Sequence, residues 1–586
     1  MKRLLLSMLA SGICAGAMAI PAKPGIIAYT QPDGTVINIL LAGDEHGHLI
    51  YSESGRLLVE SNGRMEYAKF DEAGYPVPSG ISVGSVTDDI SLTEKLQPKH
   101  LLDGWTEKMI QNKETRIRRL TEIKSLKRIT RSEEDGQEEG ESRLVPLNFG
   151  RCDATFPVLG EQKGLVILVE YQDVPFDYGD YDYFNRMLNE EGFSDYGSLG
   201  SARDWFIENS GGLFLPDFDV YGPVKLPNNR EYYGGNSSSN YGSDSHPEDM
   251  AIHACQMLDE EVDFSQYDRD GDGCIDNVFI FFAGKGEHDS GITNAVWPHS
   301  WDIRASYPDE DFIFDGVSLN HYACTCEYPS GYKRPDGIGT FVHEFGHVMG
   351  LPDLYNTMDM RAVYTPCAWS VMDKGSYNNF GLTPPNYSSY EKCALGWIDF
   401  QPFTEGSMEL PYLNETNIAY ALPTDKADEF FFFENRQQRG NDEFLPGHGM
   451  IVWHIDYRKS IWEANTVNNI ALHQYVDLVE ADNVRSADST AGDAFPGTKN
   501  VTTYNFDTKP QLATWGKKRL AFEIEDISES EDGLISFNSV STDQNGVDRV
   551  ESSTVSDNVY YDLTGRRVAN PGKGIYIRDG KKILVK

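Results

Sequence analysis

Beyond residue 19 the sequence has no apolar run long enough to cross a bilayer, so no membrane-spanning helix is expected. Basic residues are few: 51 Lys and Arg stand against 91 Asp and Glu, a formal net charge of −40. That balance argues against a nucleic-acid partner and leaves carboxylates available for hard cations. Cysteine is scarce, eight in 586 residues. Once Cys14 is set aside with the N-terminal segment the number is odd, which rules out a fully paired disulfide framework within one chain. Cys324 and Cys326 stand too close for a zinc-type CxxC, and no matching pair follows them. There is no internal repeat.

What is present begins with MKRLLLSMLASGICAGAMA. Lys2 and Arg3 precede an apolar run and then Ala17-Met18-Ala19, the layout of a secretory signal cleaved after Ala19. Ile13 before Cys14 suits a lipoprotein signal poorly. The expectation is an exported soluble protein, extracellular or at the cell surface. A chain of 586 residues exceeds one ordinary core, so several units are expected.

Residues 20–149 open with short alternating strands, continue into a helical and basic stretch over 92–129, and reach RSEEDGQEEGESR (131–143), a solvated linker. Basic residues flank that linker, so an activating protease is expected to cut between 128 and 150. Residues 150–402 alternate strands with helices and read as an α/β catalytic unit. Residues 403–541 read as a β-sandwich, and 542–586 as a small C-terminal β module.

The chemistry concentrates in FVHEFGHVMGLPDLYN (341–356). On a helix His343 and His347 lie one turn apart on one face and can reach one metal ion. Glu344 is a step round and can reach a ligand on that ion. Gly350 can end the helix in a left-handed turn, and the reversal can return Asp353 as third ligand. Three ligands on Zn²⁺ leave a position for water. With Glu344 as general base, these are the groups a peptide-bond hydrolase needs. Composition alone yields HExxH about once in fifty chains of this length, so the motif gains its weight from Gly350 and Asp353. Burying two His and a Glu in this apolar stretch without a metal would be costly.

HEFGHVMGLPDLY resembles the zinc signature of metzincin-type metallopeptidases, specifically the immune inhibitor A type with aspartate as third ligand. GLVILVEYQDVPF, SARDWFIENSGG, YDRDGDGCIDNVFIFFAGKGE, WSVMDKGSY, EKCALGWI and FFFENRQQRG also resemble that family, across about residues 163–440. The resemblance implies a secreted zinc endopeptidase with a metzincin-like catalytic domain acting on proteins or peptides. It also implies that SVMD is the Met-turn, with Met372 as apolar support beneath the metal. Histidine is commoner than aspartate at the third position, and Glu391, in SSYEKCALGW, is the rival ligand. Tyr377 could serve the oxyanion or simply pack.

Other residues leave alternatives open. Asp268, Asp270, Asp272 and Asp276 follow the first nine positions of an EF-hand loop, though position twelve is Phe279. They are candidates for a structural Ca²⁺ site, or form an acidic turn that binds nothing tightly. His454 and Asp456 share a strand face, as a second metal site or a hydrogen-bonded pair. His299 could line the cleft. The layout of 20–149 is that of a propeptide, with Cys152 or Asp153 a candidate to block the metal until processing. The C-terminal stretch resembles terminal modules of exported Bacteroidetes proteins, some of which are sorting signals. A different class of function is a catalytically inactive surface protein whose β-rich parts bind glycans or host proteins. An intact Glu344 speaks against it, since a scaffold has no need of a general base.

Overall fold

In the computed structural model a six-stranded mixed sheet carries the catalytic half. The structure describes residues 18–84, 95–128, 143–154, 156–236, 242–358, 364–542, 560–561, 566–568, 571–578 and 581–585. Most of the expected signal segment (1–17) and nearly all of the acidic linker (129–142) lie outside the described residues.

The sheet runs in the order Met18–Ala19, His299–Asp302, His321–Cys326, Val278–Phe282, Gly160–Glu170, Phe214–Lys225. The last four are parallel to one another, and His299–Asp302 is antiparallel to its neighbour. Val278–Phe282 reads VFIFF and is buried throughout, as an inner strand covered on both faces must be. Alternation assigns its faces. Phe279 and Phe281 join the core that contains helix Gly339–Val348, while Val278, Ile280 and Phe282 join the core under helix Asp249–Leu258. Helix Ala202–Asn209 starts on a capping box, Ser201 with Asp204, and stops before Gly211 and Gly212.

Residues from Gln401 onward build a five-stranded and a three-stranded sheet. Strands Glu429–Arg436 and Gly449–Asp456 are its buried antiparallel centre. Here too alternation decides the packing. Phe431, Phe433, Met450 and Val452 face the small sheet through Ile524, Ile535 and Phe537. Phe430, Phe432, Ile451, Trp453 and Ile455 face the other way, into the same apolar core as the helix Gly339–Val348. One core thus crosses the expected boundary at 402/403, and residues up to Val540 form one compact unit.

Near the N-terminus a six-stranded antiparallel sheet spans Ile27 to Ser82. On one face Trp105 and Met109 of helix Lys99–Arg128 cover Leu49, Leu57 and Ala68. Ile27, Ile37 and Ile39 cluster instead with Ala19, Ile20 and Trp297. Ser541–Lys586 form a separate compact unit with a four-stranded antiparallel sheet, ending in the hairpin Gly574–Arg578 and Lys581–Val585.

Candidate metal centre

Helix Gly339–Val348 is buried at all ten positions. Phe341 and Phe345 hold it to the sheet, with ring centroids 4.5 Å from Phe279 and 5.4 Å from Phe218 respectively. Its underside has no spare room at Gly346: a Cβ there would lie 2.7 Å from Met372 Sδ and 2.9 Å from Tyr387 Oη. Met372 therefore supports the helix directly. Gly350 has φ +99°, and a Cβ there would meet Arg151 Cγ and Cys152 O at 2.9 Å. Only glycine fits both that turn and that approach. The chain reverses at this point and returns Asp353 to the helix.

Asp353 Oδ1 lies 3.4 Å from His343 Nε2 and 3.3 Å from His347 Nε2, and the two Nε2 atoms are 3.2 Å apart. Each ring donates its Nδ1–H to a backbone carbonyl, His343 to Val371 at 2.7 Å and His347 to Leu351 at 2.8 Å. Two bare Nε2 lone pairs then face a buried carboxylate oxygen that has no hydrogen-bond donor. Three electron-rich atoms converge in a dry place, an arrangement that a divalent cation satisfies and neutral packing does not. The residues present thus fit a metal ion. Burial lowers the pKa of His347 and keeps the ring neutral. That shift favours the form that binds a cation.

Asp353 is held in place from the far half of the chain. Asn465 Nδ2 donates to Asp353 Oδ2 at 2.6 Å, and Asn465 Oδ1 accepts from the Asp353 N–H at 2.8 Å. Glu391 is not in the cluster. It closes the capping box of helix Ser389–Ala394 and accepts from Ser370 Oγ at 2.6 Å, so the rival third ligand has a structural task.

Glu344 stands beside the cluster, fully buried. Burial first, then Asp353, raises its pKa. Its Oε1 accepts the backbone N–H of Ile20 at 2.9 Å, because residues 18–22 lie in the cleft. Met18–Ala19 pair antiparallel with strand His299–Asp302, Met18 opposite Ser300 and Ala19 opposite His299. Tyr355 Oη donates to Ala19 O at 2.5 Å, Trp297 Nε1 to Ile20 O at 2.8 Å and Tyr377 Oη to Pro21 O at 2.7 Å. Tyr377 thus touches a carbonyl two residues beyond the one at the centre. His299 sits in strand His299–Asp302, buried, bridging Trp297 O and Tyr322 Oη.

Cys152 and Asp153 do not block the site. Cys152 Sγ points at Trp462 O and its N–H bonds Gly350 O behind the helix, while Asp153 is exposed and 3.7 Å from Lys459 Nζ. The chain order that suggested a switch put these residues near the catalytic unit, but their segment is bonded to Gly350, at the end of the helix, and not to the metal cluster. No disulfide joins the seven cysteines among the described residues. His454 and Asp456 are not joined: His454 bonds Glu429 at 2.9 Å and Asp456 bonds His473 at 2.8 Å.

Of the four loop aspartates, Asp268, Asp270 and Asp276 bring one oxygen each within 4.8 Å of the others. Asp272 is not in that group; its carboxylate accepts the Cys274 N–H at 2.8 Å. Asp276 is 3% exposed, and its Oδ1 has no donor. Burial, with the neighbouring aspartates adding to it, pushes its pKa up to about 8.

Asn465, Tyr355 and Trp297 escaped the sequence reading. The first lies 112 residues from Asp353, and no local pattern joins them. Tyr355 stood inside the quoted motif, two residues past Asp353, but a tyrosine at that place reads equally as packing.

Residues 160–397 match the catalytic domain of the immune inhibitor A peptidase M6 family. Immune inhibitor A of Bacillus thuringiensis subsp. alesti is 27% identical over 324 residues, 46% of each chain. The pre-pro-metalloprotease PrtV of Vibrio cholerae serotype O1 (strain M66-2) is 24% identical over 302 residues, 42% of this chain and 32% of that one. The chain thus spans less than half the length of these curated relatives.

Proposed function

We propose that this chain, whose residues 160–397 are a metallopeptidase domain of the immune inhibitor A type, is a secreted zinc-dependent endopeptidase made in latent form. The observation that carries the reading is the convergence of His343, His347 and Asp353 beside Glu344, with a peptide N–H already resting on the Glu344 carboxylate. His343, His347 and Asp353 would hold the ion. When bound, zinc supplies Lewis acidity, lowering the pKa of a water and polarising a carbonyl. Glu344 takes the attacking water's proton and returns it to the leaving amine nitrogen.

The fold we assign is metzincin-like, with Met372 as the methionine beneath the site and the residues after 402 as a sandwich grown onto the same core. Residues 20–149 act as a propeptide. The support for latency is that Ile20 and Pro21, at the start of that propeptide, lie against Glu344 and Tyr377 in the place of a substrate. Cutting between 128 and 150 would release them. The N-terminal signal layout supports export. Asp268, Asp270 and Asp276 would hold a structural calcium ion.

Casein hydrolysis by the processed protein, with and without a chelator, tests the proposal. Loss of hydrolysis on chelation and its return with zinc are expected. Hydrolysis indifferent to chelation would remove the metal from the reaction.

A further inference from the structure

The peptide bond between Ala19 and Ile20 shows how a polypeptide lies in this cleft. Its N–H meets Glu344 Oε1 at 2.9 Å and its carbonyl oxygen meets Tyr355 Oη at 2.5 Å. The two groups bracket one and the same bond. The next two carbonyls have donors of their own, Trp297 for Ile20 and Tyr377 for Pro21. Three successive carbonyls therefore meet three different side chains. Among those three, Tyr355 reaches the carbonyl of the bond that faces the general base.

Tyr355 is also held still. It is 6% exposed. On its N-terminal side Leu354 N–H donates to Met372 O at 2.8 Å, and Leu354 O accepts from Asn468 Nδ2 at 2.8 Å. The loop that brings Asp353 to the histidines thus fixes the phenol as well. A donor fixed before reaction stabilises charge that appears during it, without having to reorganise.

We propose that Tyr355 is a catalytic residue, donating a hydrogen bond to the scissile carbonyl oxygen as that oxygen gains negative charge; this rests on the peptidase reading above. Water oxygen bonds to the carbonyl carbon while its proton passes to Glu344. The carbonyl π pair moves onto oxygen, where the Tyr355 hydroxyl, keeping its proton, stabilises it. The pair then returns, the C–N bond breaks, and the amine takes the proton from Glu344. Trp297 and Tyr377 bind the two carbonyls that follow, so they fix register rather than chemistry.

The test uses processed, zinc-loaded protein and a peptide containing Met-Ala-Ile-Pro-Ala-Lys. Tyr355→Phe should lower kcat by about 10²–10³, the usual loss for one oxyanion donor, with KM nearly unchanged. Tyr377→Phe should raise KM and leave kcat nearly unchanged. A second readout is binding. Tyr355→Phe should weaken a phosphinic peptide, which carries a tetrahedral oxyanion, by the same factor as kcat/KM. In a Glu344→Gln background it should weaken the intact peptide far less than the phosphinic one. Zinc content and unfolding midpoint certify each variant. If Tyr355→Phe fails to fold, Tyr355→His, which keeps a donor, is compared with Tyr355→Leu, and the His variant should be at least tenfold faster. A folded, zinc-loaded variant lacking the donor whose kcat stays within threefold of the parent overturns the proposal, as does equal weakening of both ligands. If instead the unaltered zinc-loaded protein cleaves no peptide, the peptidase reading fails, and the two failures are distinct.

Discussion

Replacing Asn465 with Ala should weaken metal binding although Asn465 touches no metal. The side chain makes two bonds to Asp353, one to the carboxylate at 2.6 Å and one from the backbone N–H at 2.8 Å. A hydrogen bond to a charged group is worth about 1.5–3 kcal/mol, and at about 2 kcal/mol its loss corresponds to roughly 30-fold in an equilibrium constant. Outer partners of metal ligands independently give about 10–100-fold when removed, so the two routes agree. The N–H of Asp353 would also lose its partner in a buried place, at a further cost of about 1–3 kcal/mol to folding. Competition with a chromophoric chelator measures zinc affinity, and denaturant unfolding measures stability. Zinc affinity within threefold of the parent would refute the view that Asn465 orients the carboxylate, even if stability fell. Asn465→Asp makes a sharper control. It keeps the shape but sets a second carboxylate against Asp353, so it should bind zinc no better than the Ala variant.

Other outcomes follow from single contacts. Gly346→Ala places a methyl group 2.7 Å from Met372 Sδ, and overpacking of that kind costs about 1–3 kcal/mol, read as a lower denaturant midpoint. Calcium should raise the melting temperature of the unaltered protein, more at pH 8.5 than at pH 5. The sign follows from Asp276, whose folded pKa of about 8 stands above the ordinary 3.8. Without calcium its protonated form favours folding at low pH, and that contribution falls away as pH rises through about 8. Calcium, which needs the ionised carboxylate, restores stability where the proton is lost. Asp276→Asn should abolish the pH dependence of the calcium effect, and a calcium shift equal at both pH values would contradict the site. Deleting residues 20–22 from the exported chain should expose the cleft, so that an active-site peptide ligand binds the otherwise unprocessed chain; unchanged exclusion would show that another segment does the covering.

Much of the centre was legible because its parts are close in sequence and obey the helix period. His343 and His347 are four apart, Glu344 adjoins one of them, and a glycine at 350 signals the reversal that brings Asp353 round. The strand VFIFF and the capped helix at 202 are likewise local patterns. What escaped is what long-range packing decides. FFFF at 430–433 reads as a buried strand, but not as one whose two faces serve different cores and so tie the sandwich to the catalytic helix. The EF-like spacing suggested four aspartates, yet only Asp268, Asp270 and Asp276 converge, and spacing alone does not say which carboxylates turn inward. Nothing in residues 18–22 announces that they lie against Glu344. Their docking depends on the cleft, on the strand at 299 and on three side-chain donors far along the chain.

The most direct test is zinc content and hydrolysis measured side by side on the processed protein and its Glu344→Gln variant. One zinc per chain in both, with hydrolysis falling by several orders of magnitude in the variant alone, is the result expected. A protein that binds no zinc at His343, His347 and Asp353, or a Glu344→Gln variant that cleaves casein at the parent rate, would contradict it.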